Sequence, residues 1–257
     1  MMSSLPAVIT PALLNSMRSH PNLPAHTWYC IAATTLSQLN RPDEIPKVYQ
    51  YALQHDSGRA EGGASSQDEK LRISRRMREA LVKAAAVGGV PKTINALLEL
   101  KKATPEDLLD DPQGSSSPTG RRSDVYDTPA GEILQRGQGF FEAIYGKITK
   151  RVMGQMDRSG TEDLGLVARL VYGYVLSNTN VLSAADTSFV MIAGLIPQDV
   201  NPQLKGHLRG ALNGGATVDE VKAVRSVVLE LCLASGMKML DPQSPAGWGW
   251  RVEPADL

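Results

Sequence analysis

The residue of this chain best suited to acid–base chemistry is His207. It lies in a stretch, 201–228, that reads as a helix, a Gly-Gly turn and a second, capped helix. Leu204, Leu208, Ala211 and Leu212 recur at helical spacing, and Gly214-Gly215 ends the run. His207 is one turn from Leu204 and from Ala211, so it falls at or beside the buried face. An imidazole titrates near neutral pH and can give or take a proton there. Glu79 is the second candidate, a carboxylate inside a long amphipathic helix. Arg75, Arg76 and Lys83 surround it, and it can pair with Lys83 at four-residue spacing. As a purely structural group it would be an exposed helix carboxylate.

The elements that must position these groups are helical almost throughout. Asn201 is placed to cap the first helix, with Pro202 at its first position. Thr217 and Glu220 form a capping box for the second, and Val221, Val224 and Val228 follow as its apolar stripe. Upstream, helices are predicted over 28–39, 43–54, 71–87 and 91–102, then over 133–156, 163–175 and 186–195. Gln54 to Glu69 is rich in Gly, Ser and charge and reads as a loop. β-branched alternation never lasts more than a few residues, so the fold class is all-α.

Residues 110–130 are the clearest break, dominated by Pro, Gly, Ser and charge. The chain therefore divides into an N-terminal segment 1–25, a first half 26–109, a linker 110–130, a second half 131–240 and an irregular tail 241–257. The halves form a weak internal repeat. Setting Ala52 against Ala211 places Val48 opposite His207, so the first half lacks the histidine.

Several residues in these stretches match a known pattern. In the second half it comprises His207, Gly210-Ala211-Leu212-Asn213-Gly214-Gly215, Thr217 and Glu220-Val221. In the first half it runs from Arg78-Glu79-Ala80-Leu81 through Gly88-Gly89-Val90-Pro91 to Asn95-Ala96. This resembles the carboxymuconolactone decarboxylase family, which includes alkyl hydroperoxidase D. The likeness covers roughly 26–102 and 165–240. It implies an alkyl hydroperoxidase D-like helical fold built from two degenerate repeats. It also implies a homo-oligomer, since single-repeat relatives assemble into trimers or hexamers.

The peroxidase branch of that family uses a Cys-x-x-Cys pair ahead of its histidine. Val200 and Gln203 stand at those positions, so dithiol chemistry is not expected. The decarboxylase branch acts on unsaturated lactone acids without metal or thiol. By that resemblance His207 is the proton-transfer group, and Glu79 matches the family's helix-embedded glutamate. Two function classes follow. One is a cofactor-independent lyase or isomerase acting on a small carboxylate or lactone. The other is a non-catalytic structural or binding member of the same fold.

Composition narrows the partners. Formal net charge is zero and charged residues make up 21% of the 257 positions, which does not favour nucleic acid. No apolar run approaches the roughly 20 residues that span a bilayer, so no membrane is expected. No metal-ligand spacing and no Rossmann or P-loop glycine pattern is present, so no cofactor is expected. The two cysteines, Cys30 and Cys232, sit far apart in apolar runs and point to a reducing compartment. Cys30 has no cation near it in sequence and reads as an inert thiol. A cytoplasmic location is expected, with mitochondrial import the alternative. The final Ala255-Asp256-Leu257 is not of the Ser-Lys-Leu type.

Overall fold

The computed structural model describes residues 6–56, 66–111, 117–243 and 247–257. Helices make up nearly all of it: α1 Pro11–Ser19, α2 Trp28–Gln38, α3 Ile45–His55, α4 Ser66–Gly88, α5 Val90–Ala103, α6 Arg121–Tyr126, α7 Ala130–Tyr145, α8 Thr149–Met156, α9 Asp163–Val171, α10 Ala184–Leu195, α11 Asn201–Asn213 and α12 Val218–Ala234. The only strands among the described residues are β1 Lys238–Met239 and β2 Gly249–Trp250, paired in parallel. The fold is all-α, as the absence of strand patterning predicts.

Two helices form the centre. Every residue of α2 is buried, and α10 is buried from Thr187 to Leu195. A helix with no exposed face must be covered on all sides, its few polar groups (Thr34, Thr35, Ser37 and Gln38 on α2, Thr187 and Ser188 on α10) included. α2 packs on α3, α4, α10 and α12, and α10 packs on α2, α4, α11 and α12. Two three-helix units, α2–α3–α4 and α10–α11–α12, therefore interlock. The last helix of each lies on the first helix of the other. Contact between α10 and α4 is tight: a Cβ on Gly194 would fall 2.5 Å from Val87. The long closing helices end alike, with Gly89 and Gly236 at φ +81° and +85°, the left-handed region glycine occupies without strain.

Between the units, α7 packs on a single π-helical turn, Tyr172–Leu176, that continues α9. The helix predicted over 163–175 thus changes type at Tyr172. Gly137 allows the close approach, since a Cβ there would meet Gly173 N at 2.5 Å.

Three local expectations change. Asn201 is the first residue of α11, not its cap. Its side chain instead accepts from Ala255 N at 2.7 Å and donates to Glu253 O at 3.1 Å. The tail is correspondingly well fastened. Trp250 is buried and donates to Ile196 O at 2.8 Å, and Arg225 donates to Ala255 O at 2.8 Å. Of the stretch 110–130, residues 112–116 lie outside the described ones; the rest contains α6 and the start of α7 and is held at Asp110 and Arg121. Most of the predicted 54–69 loop lies outside the described residues. The Thr217–Glu220 capping box forms, with bonds of 2.7 and 3.2 Å.

Candidate functional site

α11 carries His207 on its inner face, with Leu204, Leu208 and Ala211 buried around it. The imidazole is 5% exposed. Its Nδ1 has no hydrogen-bond partner among the described residues. Burial alone pulls its pKa down to about 4, because a charged ring has neither water nor a carboxylate to support it. Its ring meets Tyr145 edge to face at 6.1 Å, and Tyr145 in turn packs on Phe141 and Tyr172. His207 therefore belongs to an aromatic cluster between α7, α11 and the π turn. Lys205 and Arg209, its sequence neighbours, point outward and are exposed.

Glu79 is placed differently from the exposed carboxylate that its sequence neighbours suggested. It is 2% exposed, and both its oxygens are held by Arg121, at 2.7 and 2.5 Å. Lys83, one turn on, lies 3.7 Å away and is fully buried. The ammonium of Lys83 donates to the carbonyls of Leu176 and Asn178 at 2.8 and 2.7 Å, and to that of Val175 at 3.4 Å. Three donors thus meet three carbonyls at the C-terminal end of the π turn, where a cation suits the helix dipole. Burial pushes Lys83 down to about 8, with Glu79 opposing the shift.

In front of Glu79 is a cavity of about 330 Å³, walled by Arg75, Arg78, Val82, Asp110 and Arg121. Asp110 receives both Arg75, at 2.6 Å, and Arg78. The three arginines present planar forks of the kind that recognise carboxylates bidentately. Arg75 and Arg78 come from one face of α4 at a spacing of three. Arg121 comes from the stretch read as a linker, and nothing in local sequence announces its partner. His207 is not among the residues lining this cavity, so the two predicted groups do not converge there.

A second polar cluster lies nearby, between α2, α4 and the start of α10. Arg76 donates to Asp186 at 3.0 Å and to His26 O at 3.3 Å. Asp186 is itself fixed by its capping box with Ser183. Cys30 is fully buried, and burial, offset in part by Arg76, carries its thiol up to about 12. The cation that sequence did not place near Cys30 is therefore present, but the thiol stays protonated. His26 Nδ1 lies 3.5 Å from Glu69, and the Arg76 guanidinium faces both the Tyr29 hydroxyl and the Cys30 thiol. His26 holds φ +60°, uncommon for a residue with a side chain.

No protein-family model matches the chain. It is similar to peroxisomal protein 2 of Schizosaccharomyces pombe (strain 972 / ATCC 24843), 37% identical over 215 residues, with 84% of this chain and 89% of that one covered. It is also similar to peroxisomal protein 2 of Saccharomyces cerevisiae (strain ATCC 204508 / S288c), 33% identical over 258 residues, with 84% and 91% covered. These names overturn the expectation of a cytoplasmic or mitochondrial location. That expectation rested on terminal residues and cysteine usage, and an address read by a receptor leaves no trace in composition or core patterning. Identity and coverage at this level show that the chain belongs to the peroxisomal protein 2 family.

Proposed function

We propose that the protein is a carboxymuconolactone decarboxylase-like enzyme of the peroxisome. Its substrate is a small carboxylate or lactone acid, bound in the cavity in front of Glu79. Two interlocked three-helix units support the reading of two fused repeats. The observation that carries the site is the cavity itself, where three arginines surround one buried carboxylate. Three guanidiniums and the carboxylates of Glu79, Asp110 and Asp111 line it, and Lys83 stands behind Glu79. The charges of the wall itself balance, and the buried Lys83 behind it adds one positive charge. A substrate carboxylate is drawn to the arginine forks, and Glu79 is the group positioned to take or return a proton.

The buried, unpaired imidazole of His207 supports a packing role for that residue instead of proton transfer. No part of the proposed chemistry passes through a thiol. Peroxisomal residence comes from the names of the relatives and is tested by imaging the tagged chain against a peroxisomal marker.

The decisive experiment screens small carboxylic acids and lactones by thermal shift and follows each hit by calorimetry. Arg78→Gln is expected to weaken a true ligand about tenfold, as for loss of one charge-assisted contact. Glu79→Gln is expected to abolish turnover while the ligand still binds. No ligand in a broad acid library, or ligands indifferent to Arg78, would favour the non-catalytic member of the fold.

A further inference from the structure

α9 leaves an apolar stripe uncovered. Four of its nine residues, Leu164, Leu166, Val167 and Leu170, are between 45% and 54% exposed, and only Gly165 is buried. The helix belongs to neither three-helix unit. It packs on α7, α8 and the π turn, with Gly165 on its inner side, where a Cβ would collide with Asp157. Arg169 turns to the same aspartate, bonding it at 2.7 and 2.9 Å.

The stripe is symmetric about Val167. At about 100° per residue, Leu164 and Leu170 stand about 60° to either side of it, one three residues before and one three after. Leu166 borders the stripe, and the half-buried Val171 and Tyr174 extend it. The four exposed side chains leave on the order of 350 Å² of apolar surface, a size at which a patch marks a contact site. Two such faces, with Val171 and Tyr174, bring a two-fold contact to about 1,000 Å², the lower bound for a specific interface. The stripe carries no cation, and the charge at its N-terminal end, Asp163, is acidic. It therefore lacks the basic border that holds an amphipathic helix on an anionic lipid surface. Its pattern matches itself instead. Run antiparallel about an axis at Val167, each helix sets its leucines around the valine of the other.

We propose that this face is a homodimer interface, in which α9 packs antiparallel on α9 of a second copy of the chain about a two-fold axis at Val167. The contact area places the dimer in the micromolar range, on the order of 1–10 µM. The interface does not depend on the reaction proposed for the Glu79 cavity, because α9 lines no part of that cavity.

Sedimentation of the full chain from about 0.5 to about 100 µM tests it, and a monomer–dimer equilibrium is expected across that range. Val167→Asp sets two carboxylates together at the axis and should raise the dissociation constant about a hundredfold. Leu170→Lys is the second variant and should act in the same direction, so the test survives if Val167→Asp fails to fold. Val167→Cys locates the axis. A residue on a two-fold axis meets its own copy, so diamide, taking up two electrons and two protons, should join two chains through this thiol. Lys205→Cys, exposed on α11, should stay unlinked under the same treatment. Vesicles of phosphatidylcholine and phosphatidylserine test the lipid surface as the rival occupant. A monomer at every concentration, a dimer indifferent to both Val167→Asp and Leu170→Lys, or a monomer that pellets with the vesicles until either variant releases it would overturn the proposal.

Discussion

Arg121 grips both oxygens of Glu79, at 2.7 and 2.5 Å, from 42 residues away in sequence. The same arginine donates to the carbonyls of Tyr174 and Val175, each at 3.2 Å. One side chain thus ties α6 to α4 and to the π turn. It closes the Glu79 cavity on one side while Asp110 closes it on another.

Replacing Arg121 with Ala leaves a buried carboxylate with only Lys83 to oppose it. Removing one partner of a buried pair costs about 3–5 kcal/mol. Arg121 is partly exposed and Lys83 remains, so a loss of about 2–3 kcal/mol is expected here. Urea unfolding measures it, and limited proteolysis should show faster cutting within 110–130. A variant as stable as the parent, with unchanged cleavage, would show that the stretch is a passive tether.

His207 makes a pH signature. Its folded pKa, about 4, lies below the ordinary value of 6.5. Between those values the unfolded chain binds the proton and the folded chain does not, so stability rises with pH across that window. The contribution is complete above pH 6.5 and is lost as pH falls toward 4, by about 3 kcal/mol in all. Other groups titrate there too, so the comparison with His207→Gln isolates this one. The stability gap between parent and variant should shift by that amount between pH 7 and pH 4. Parallel curves would mean that the ring is solvated or paired in solution.

Most helices of both halves, the Thr217 cap and the inward face of α11 were legible in the sequence because they rest on local periodicity, whereas α1, α6, the break of 133–156 at Gly146 and the true role of Asn201 were not. The capping box at Thr217 is a four-residue signal, and Leu204, Leu208 and Ala211 fix the buried side of α11. The candidate site was legible only in part. Glu79 was picked out through a resemblance and its spacing to Lys83, while its principal partner sits in a stretch whose composition reads as a linker. Pairing across 42 residues is set by how α4, α6 and the π turn meet, and no window of sequence contains it. The same holds for Arg76 beside Cys30, which are brought together by the packing of α2 on α4.

Dithiol peroxidase activity is not expected. Val200 precedes α11 and Gln203 is exposed on its first turn, where a resolving pair of thiols would have to stand. Cys30 is held at about 12, and burial also raises Cys232, so neither supplies thiolate near neutral pH. A thiol reagent should leave the native protein unmodified and titrate both cysteines after unfolding. Hydroperoxide turnover that vanishes in Cys30→Ser would contradict this.

Lys83 offers the sharpest test of how the two halves are joined. Its ammonium leaves α4 of the first unit and binds carbonyls of the π turn and of Asn178, just ahead of the second unit. Lys83→Met preserves the length and apolar volume of the stem but removes all three donors. The carbonyls of Leu176 and Asn178 are then buried without a partner, at about 1–3 kcal/mol for each group left unsatisfied. Against this, the lowered pKa of Lys83 means that burying its charge already opposes folding, and the variant recovers that cost. A net loss of about 2 kcal/mol is expected. It should come with faster amide exchange across 172–178, while α11 and α12 stay protected. If Lys83→Met instead stabilises the chain and leaves exchange at the π turn unchanged, the ammonium contributes nothing to that junction, and Arg121 alone ties Glu79 to the second half.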